Sequence, residues 1–368
     1  MKIGYIVHDL NDPSVERRCV MLERGGAEVV LAGFYRGQFL KASAETRNAY
    51  IMGQSKDAAF VNRVFSTFRQ TAFNSRLRNL FADCDVLVAR NLEQLAIASR
   101  LSKSRPLIYE CLDLHRLLLE SSKAAKLVQS IESKVLTKVD GLLTSSAAFL
   151  RHHFDHTTLN APTHLIENKL LVPSTPNTLP DPMPAGPVLR IGWFGMLRCK
   201  KTFEFLKRLA ARSNGRIEVM ISGKPSSAEL PDLPSQAEAA EGVEYTGPYT
   251  YKDLSELYGR CHLAWAIDWF EEGLNSEWLL PNRLYESIAH GTVPIVKDNT
   301  EMSRWLAARN AGLRISLDVD PELSLLNLDA DSLKKLQGDL MSVPVGDVYA
   351  DNQDCERLVE IISRGKVS

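Results

Sequence analysis

Short apolar runs alternate with longer amphipathic stretches along almost the whole chain. In the first half, the runs that predict strands are residues 2–7, 28–32, 86–89, 107–110, 141–144 and 165–167. After an interruption the alternation resumes, with predicted strands at residues 189–194, 217–222, 243–246, 263–267, 293–296 and 313–315. Strands that alternate with helical stretches in this way are typical of parallel α/β sheets.

The interruption between the two series is rich in proline. Prolines cannot continue a helix or a central strand, and six of them fall here: Pro173, Pro176, Pro180, Pro182, Pro184 and Pro187. The pattern therefore predicts an N-terminal domain at 1–170, a linker at 171–187, a second domain at 188–345 and a terminal helical segment at 346–368. We expect two doubly wound Rossmann-like domains facing each other across a cleft, with ligands bound beyond the carboxyl ends of the strands.

Composition narrows the class of protein. The 368 residues carry 44 Lys and Arg against 45 Asp and Glu, a net charge of −1, with 45% hydrophobic residues, as in ordinary globular proteins. No apolar run approaches the ~20 residues of a membrane span, and the N-terminus lacks the pattern of a signal peptide, which predicts a cytoplasmic protein. The six scattered cysteines predict buried, reduced thiols rather than a zinc site.

The charge is unevenly distributed between the two halves. Residues 1–170 hold 23 basic and 17 acidic side chains (+6), and residues 171–368 hold 21 and 28 (−7). Within residues 60–81, arginines and phenylalanines interleave without an acid, as in a helix that lies on an anionic membrane surface. The alternative is a core-packing helix with a solvated basic face. Nucleic acid is disfavoured because the chain is near neutral and shows no recognition motif.

The most distinctive segment is Leu280–Val296, which reads LPNRLYESIAHGTVPIV. Pro281 is suited to a first helical turn and Gly291 to the residue just past a helix end, so a short helix followed by a strand is predicted. Unpaired N–H groups at such a helix start attract phosphate, and Arg283 adds a cation. Asn282 and Glu286 share one face, where the carboxylate suits the hydroxyls of a ribose. The alternative is a capped surface helix.

A second segment places cations after a strand. In GWFGMLRCKKT, the strand is predicted to end at Gly195, where a glycine permits close backbone approach. Arg198 and Lys201 follow and are suited to a pyrophosphate, and Thr202 is the expected cap of the next helix. The alternative is a solvated basic turn.

These segments together resemble the GT-B glycosyltransferases, in particular family 4 and its bacterial exopolysaccharide relatives. The PNRLYESIAHGTVPIV stretch is similar to the signature P-N-K-L-x-E-x-x-A-x-G-x-P-V-V, and VEYTGPY, which contains Tyr249, resembles the segment that passes the nucleobase. The opening DPSVERR, which contains Arg17, resembles the first strand-to-helix turn of that family. The resemblance implies a nucleotide-sugar donor site in the second domain and a final helix that returns to the first.

Two departures from the family pattern stand out. Many members carry two glutamates separated by seven residues, but if Glu286 is the second, the first position falls on Trp278, with Glu271, Glu272 and Glu277 out of register. The usual Gly-Arg-Leu after the phosphate strand reads Gly195-Met196-Leu197. The role of the first glutamate is therefore unassigned.

The first domain is expected to supply the acceptor side and the base. Asp113 and His115 follow the predicted strand 107–110 directly before a helix, where similar enzymes carry an acidic or histidine residue, and Asp113 is the preferred base for an inverting enzyme. The alternative is that Asp113 caps the helix and His115 packs. If the enzyme retains configuration, the leaving phosphate takes the proton instead. The other acceptor-side candidates are His8, Asp9, Arg17 and Asn91.

The sequence thus predicts a metal-independent hexosyltransferase that moves a sugar from a nucleoside diphosphate sugar, preferably a UDP-sugar, to a glycan or lipid-linked acceptor in exopolysaccharide synthesis. Asp329-Ala330-Asp331 is interpreted as a helix cap rather than a metal site. Two alternatives stay open: a catalytically silent nucleotide-sugar-binding partner of an assembly complex, favoured by the broken glutamate pair, and a sugar-nucleotide 2-epimerase of the same fold.

Overall fold

A computed structural model of the chain describes residues 1–37, 40, 45–54, 75–172, 174–316 and 320–365. The chain divides into two compact units. The first comprises Met1–Leu171 together with Ala350–Ser368, and the second comprises Val172–Tyr349. Among the described residues, no helix is both long and apolar enough to span a bilayer.

The first unit is built on a seven-stranded sheet in which every neighbouring pair is parallel. Its strands are β1 (Lys2–Val7), β2 (Glu28–Tyr35), β3 (Tyr50–Gln54), β4 (Val86–Arg90), β5 (Leu107–Cys111), β6 (Gly141–Thr144) and β7 (Thr163–Leu165), in the spatial order β3-β2-β1-β4-β5-β6-β7. Its helices are α1 (Pro13–Arg24), α2 (Ser75–Leu80), α3 (Asn91–Leu101), α4 (Arg116–Leu119), α5 (Lys123–Leu136) and α6 (Ala147–His152). The order reverses between β1 and β4, as in doubly wound folds.

The second unit is a six-stranded parallel sheet of the same kind. Its strands are β8 (Leu189–Leu197), β9 (Ile217–Pro225), β10 (Val243–Tyr245), β11 (Leu263–Trp265), β12 (Val293–Lys297) and β13 (Leu313–Ile315), in the order β10-β9-β8-β11-β12-β13. Its helices are α7 (Lys200–Arg212), α8 (Leu233–Glu238), α9 (Leu254–Gly259), α10 (Asn282–Ala289), α11 (Glu301–Ala307), α12 (Pro321–Leu326), α13 (Ala330–Met341) and α14 (Val345–Val348). The predicted α/β class with two Rossmann-like domains is confirmed.

Several strands differ from the sequence-based expectation, and β7 shares only Leu165 with the predicted strand 165–167. Strand β3 was not predicted, because it is a half-exposed edge strand without an apolar run. Strand β8 does not end at Gly195 but continues to Leu197, since Gly195 pairs with Gly223 and the pairing extends to Leu197 opposite Pro225. The apolar pattern ends earlier than the backbone pairing, and only the partner strand reveals the extension.

The last helix, α15 (Asn352–Arg364), packs within the first unit against α1. Its buried residues Cys355, Leu358 and Ile362 join the apolar cluster formed by β1, β2, β4 and α1. Gly25 ends α1 so close to α15 that a Cβ there would collide with the carbonyl of Cys355. An ion pair of 3.2 Å between Lys169 Nζ and Asp354 Oδ2 adds a polar contact at the start of the helix.

A buried charge cluster lies under the carboxyl edge of the first sheet. Glu110 on β5 is completely buried and accepts hydrogen bonds from Arg18 Nε (2.6 Å), Arg90 Nε (2.9 Å) and the hydroxyl of Tyr5. Burial raises the pKa of Glu110, but the guanidinium groups of Arg90 and Arg18 outweigh it and lower the pKa to about 2. Arg90 also donates to the Ser14 hydroxyl at 2.7 Å, which connects β4 to α1.

We predict that Glu110→Gln lowers the free energy of unfolding by about 3–5 kcal/mol, because it removes the buried carboxylate charge that pairs with the guanidinium groups of Arg18 and Arg90. The control is Glu28→Gln, which removes an ion pair with Lys2 from a side chain that is 67% exposed and should cost at most ~1 kcal/mol. Chemical denaturation of both variants measures the difference.

The buried Glu110 carboxylate also predicts how the stability of the protein depends on pH. Since the folded-state pKa of Glu110 is depressed, its contribution is complete above the unfolded value of ~4.3 and is lost as the pH falls toward about 2. Between pH 5 and pH 2 the wild type should therefore lose stability more steeply than Glu110→Gln. If Glu110→Gln and Glu28→Gln lowered the free energy of unfolding equally, the structural role of the buried cluster would be contradicted.

Candidate functional site

The loop between β8 and α7 is shaped by a close backbone approach. Gly195 has φ 120°, and a Cβ on its partner Gly223 would collide with the carbonyl of Gly195. The helix that follows is capped by the sulfur of Cys199, which accepts a hydrogen bond from the N–H of Thr202 at 3.4 Å. The expectation that Thr202 is the cap is wrong, because Thr202 lies one turn inside the helix and is completely buried.

Arg198 lies in this loop and Lys201 in the first turn of α7, and each side chain contacts a carboxylate and an aromatic ring. Arg198 lies over the ring of Phe270 at 4.6 Å, and Lys201 Nζ lies 4.9 Å from the ring centroid of Trp269. Lys201 Nζ also contacts Glu272 Oε2 at 2.6 Å. Both side chains remain substantially exposed, so their cationic groups are accessible to an anion.

Asp268 is the residue that sequence reasoning missed. Its carboxylate contacts Arg198 at 3.5 Å and Arg283 at 3.8 Å, and it also accepts the N–H of Phe270 at 3.0 Å. The side chain is only 12% exposed, so the negative charge is held between the two guanidinium groups. The sequence offers one signal for Asp268, which is the first acidic residue after the predicted strand 263–267.

Helix α10 carries Arg283, which contacts Asp268, and Glu286 one turn further along. Pro281 is its N-cap rather than a residue of its first turn, with φ −74° and ψ 159°. Glu286 Oε2 accepts a hydrogen bond of 3.4 Å from the buried hydroxyl of Tyr258. Burial raises the pKa of Tyr249, and the nearby charge of Glu286 raises it further, so Tyr249 is neutral. Asn282 is the first residue of α10, four residues before Glu286.

Glu272 and Glu277 lie close in sequence to Trp278, where the family pattern has its first glutamate, and both contact Lys297. Lys297, at the end of β12, contacts Glu277 at 2.6 Å and Glu272 at 3.6 Å. Burial opposes the charge of Lys297, but its hydrogen bond with Glu277 prevails and raises its pKa. Trp278, which occupies the register of the first family glutamate, follows the short 3₁₀ turn Asn275–Glu277. The carboxylates here neutralise Lys297 and Lys201.

In the first unit, the loop after β5 carries Asp113 and His115. His115 is the N-cap of α4, and its Nδ1 accepts the N–H of Leu117 at 3.2 Å. The alternative of an Asp113 cap is therefore wrong, since the cap lies two residues later. An accepting Nδ1 places the proton of the neutral ring on Nε2, which makes Nε2 a donor rather than a base. Asp113 lies at an exposed position.

Of the other acceptor-side residues, His8 and Asp9 lie on the loop after β1, Arg17 lies in α1 and Asn91 is the first residue of α3. Asp9 Oδ1 accepts the N–H groups of Asn11 (3.0 Å) and Arg36 (3.1 Å), so it orders the loop. Arg17 donates to Asn168 at 2.6 Å. Burial lowers the pKa of His8 to about 4, while Asn91 follows β4 with φ 68°. In the second unit, Asp329 accepts the N–H of Ser332 at 2.8 Å, which confirms the predicted helix cap.

Comparison with solved structures defines the class. The chain superimposes on HepE of Anabaena in complex with UDP with a TM-score of 0.72, at 13% identity over 99% of this chain and 100% of HepE. It superimposes on WaaG, a glycosyltransferase involved in lipopolysaccharide biosynthesis, with a TM-score of 0.66, at 11% identity over 98% and 99% of the chains. Sucrose-phosphate synthase of Thermosynechococcus elongatus gives 0.71, at 11% identity over 99% and 98%. The fold is therefore the GT-B fold.

One curated relative is much closer in sequence. The succinoglycan biosynthesis protein ExoL of Rhizobium meliloti strain 1021 is 36% identical over 377 residues, which cover 98% of this chain and 92% of the relative. The chain belongs to the ExoL family, and the resemblance to exopolysaccharide-biosynthesis proteins of the GT-B fold is confirmed. No model of a known protein family matches the chain.

Proposed function

We propose that the protein is a glycosyltransferase of exopolysaccharide synthesis that moves a hexose from a UDP-sugar to a glycan or lipid-linked acceptor. The observation that supports this most directly is the arrangement of Arg198, Asp268 and Arg283, with Glu286 one turn further along α10. It combines cations for a diphosphate with a carboxylate for a ribose in a member of the ExoL family. HepE, which has the same fold, has a crystal structure in complex with UDP.

In this proposal the diphosphate replaces carboxylates as the partner of the cations. Lys201 and Arg198 are held by Glu272 and Asp268 at 2.6 and 3.5 Å, and a phosphate with a larger charge competes with both. The pair between Lys201 and Glu272 joins two exposed side chains and is worth at most ~1 kcal/mol, so its exchange for a phosphate is energetically accessible. As the sugar leaves, the same cations stabilise the charge that develops on the diphosphate.

Asp113 is proposed as the general base for an inverting transfer. It lies at an exposed position beyond β5, whereas the accepting Nδ1 of His115 assigns the proton to Nε2, which suits a hydrogen bond to a sugar oxygen. For a retaining transfer, the leaving phosphate would take the proton from the acceptor, with Arg198 and Lys201 stabilising it. In either case the positive charge comes from side chains, and we propose that no metal is required.

We further propose that the first unit contacts an anionic membrane surface. Of the basic stretch 60–81, residues 60–74 lie outside the described part of the chain. In the rest, α2 buries Leu77 and exposes Arg76 and Arg78. Arg78 belongs to the lining of an open depression of about 1040 Å³, in which the cations outnumber the acids: Arg78, Arg100, Lys103, Arg105 and Lys138 against Asp85 and Asp140. Clustered cations of this kind attract anionic lipid headgroups.

For the donor site, we predict that calorimetry detects selective binding of UDP over GDP and ADP, and that Glu286→Ala weakens it ~10-fold or more, the cost of a lost charged hydrogen bond. Glu218→Ala is the control, because Glu218 is an exposed residue paired with Arg190. If none of the three nucleotides bound to the wild type, the assignment of the donor site would be contradicted.

For the chemistry, we predict that Asp113→Asn reduces kcat for transfer by ~10²–10⁴-fold and leaves UDP binding unchanged. His115→Asn is the comparison variant: asparagine also caps a helix, so this change removes the Nε2 hydrogen bond alone and should reduce kcat less than Asp113→Asn does. A reversed result would make His115 the base. The same assay in excess chelator should keep its rate, and nucleotide binding without any turnover would favour the silent-partner alternative.

For the membrane contact, we predict that the protein floats with vesicles that contain anionic lipid but not with neutral vesicles, and that added salt weakens this binding. Charge reversal by Arg78→Glu with Lys103→Glu should reduce flotation several-fold, whereas Lys252→Glu, on an exposed site of the second unit, should not. Equal flotation of both variants would contradict the assignment of this surface.

A further inference from the structure

Tyr258, on α9, is a buried tyrosine whose hydroxyl contacts a residue of the proposed donor site. The residue is 1% exposed, and its hydroxyl donates a hydrogen bond of 3.4 Å to Glu286 Oε2 on α10. Burial raises the pKa of Tyr258 well above its usual value, and the charge of Glu286 raises it further. The hydroxyl therefore keeps its proton at neutral pH and is available as a hydrogen-bond donor to the carboxylate.

The ring of Tyr258 is held by its neighbours. Phe194, on β8, meets it edge-on, with ring centroids 4.8 Å apart and an interplanar angle of 88°. The ring of His290 stacks on it, with centroids 5.7 Å apart and an angle of 15°. The hydroxyl of Thr292 donates a hydrogen bond of 2.8 Å to the carbonyl of Tyr258. Because packing restricts the rotamers of such a side chain, its hydroxyl is presented from a fixed position.

Two of these contacts come from the segment that also supplies the carboxylate. Glu286 lies on α10, and His290 and Thr292 follow directly after the helix ends at Ala289. This segment holds Tyr258, and Tyr258 in turn donates to Glu286. A glutamate loses considerable rotamer freedom when a ligand fixes it, and a contact made before the ligand arrives reduces that loss on binding.

The contact restrains Glu286 without saturating its carboxylate. A carboxylate accepts about four hydrogen bonds, and one tyrosine hydroxyl uses one of these positions. The 3.4 Å between the two oxygens is also longer than the ~2.5–2.7 Å of a tight bond between a hydroxyl and a carboxylate. Glu110, by contrast, is completely buried between two guanidinium groups. The geometry at Glu286 therefore suits a carboxylate that is oriented for a ligand.

We propose that Tyr258 is a positioning residue that orients the Glu286 carboxylate toward the two ribose hydroxyls of the nucleotide, and that it thereby sets a preference for ribonucleotides over nucleotides without these hydroxyls. That Glu286 receives a ribose rests on the proposed function. Tyr258 lies 28 residues before Glu286, outside the segment that resembles the family signature. It acts through Glu286 and does not contact the nucleotide.

The experiment is calorimetric titration of the full chain with UDP and with 2′,3′-dideoxy-UDP, which lacks both ribose hydroxyls. We expect the wild type to bind UDP ~10-fold or more tightly than the analogue, because only UDP donates hydrogen bonds to the charged carboxylate. Glu286→Ala should abolish this preference. Tyr258→Phe removes the hydroxyl and keeps the ring, and it should reduce the preference by about threefold or more.

The double variant Tyr258→Phe with Glu286→Ala tests whether the tyrosine acts through the glutamate. Without the carboxylate there is nothing for the hydroxyl to orient, so the double variant should bind both nucleotides as Glu286→Ala alone does. The two substitutions are therefore expected to be non-additive, as for residues that form one unit.

Tyr349→Phe is the matched control. Tyr349 is buried, and its hydroxyl donates a hydrogen bond of 3.3 Å to the carbonyl of Ala289, at the end of the same helix. Thermal unfolding should show a similar loss of stability for Tyr258→Phe and Tyr349→Phe, since each removes one buried hydrogen bond. Only Tyr258→Phe should change the preference for UDP over the analogue, which a purely structural role would leave unchanged.

Two results would overturn the proposal while the ribose assignment stands. One is a wild-type preference in Tyr258→Phe together with its loss in Glu286→Ala. The other is a double variant that binds UDP more weakly than Glu286→Ala, which would mean that Tyr258 acts on the nucleotide directly. If Tyr258→Phe does not fold, Thr292→Val replaces it, because it removes the hydrogen bond that holds Tyr258, and an unchanged preference then overturns the proposal.

Failure of the proposed function gives a different result, which is already visible in the wild type. Equal binding of UDP and the analogue would show that Glu286 does not receive a ribose, and binding of neither would remove the donor site. Both results overturn the positioning role as well, because Tyr258 would then orient a carboxylate that no ribose contacts.

Discussion

Parallel strand pairing is the constraint on which the rest of the molecule depends. All neighbouring strands in both sheets run parallel, so the loops that follow them meet at one edge of each sheet. This is why Arg198, after β8, reaches Asp268, which follows β11 seventy residues later in the chain. In the first unit, the loops after β1, β4 and β5 are gathered in the same way, and they carry the acceptor-side candidates. An antiparallel sheet would distribute these loops between two edges.

The two units treat their charged groups in opposite ways. Glu110 is completely buried and its hydrogen bonds to Arg18, Arg90 and Tyr5 occupy it fully, so the cluster is structural and has little capacity to exchange partners. In the second unit, Lys201 and Arg198 lie at the surface with carboxylate and aromatic partners. Water screens the exposed pair between Lys201 and Glu272 and makes it weak, so an incoming phosphate can replace the Glu272 carboxylate. The degree of burial, rather than the residue types, separates a structural cluster from a site that can bind an anion.

The GT-B fold is shared at 11–13% identity with proteins whose names indicate different substrates, so the fold by itself does not select a ligand. Selection depends on a few side chains at the strand ends. In the second unit these include Asp268, which follows β11 and lies between Arg198 and Arg283.

The apolar pattern by itself determined the α/β class, the approximate positions of eleven of the thirteen strands and the segments that carry Arg198, Arg283 and Glu286. Hydrophobic periodicity and glycine or proline positions are local properties, which is why the sequence reveals them. It did not determine the edge strand β3 or the extension of β8, which depend on pairing with a neighbour. Nor did it determine which residue caps a helix, as Cys199 and His115 show. The position of Asp268 between two arginines emerged only from the tertiary structure, because these contacts join residues distant in sequence whose proximity is set by the backbone path.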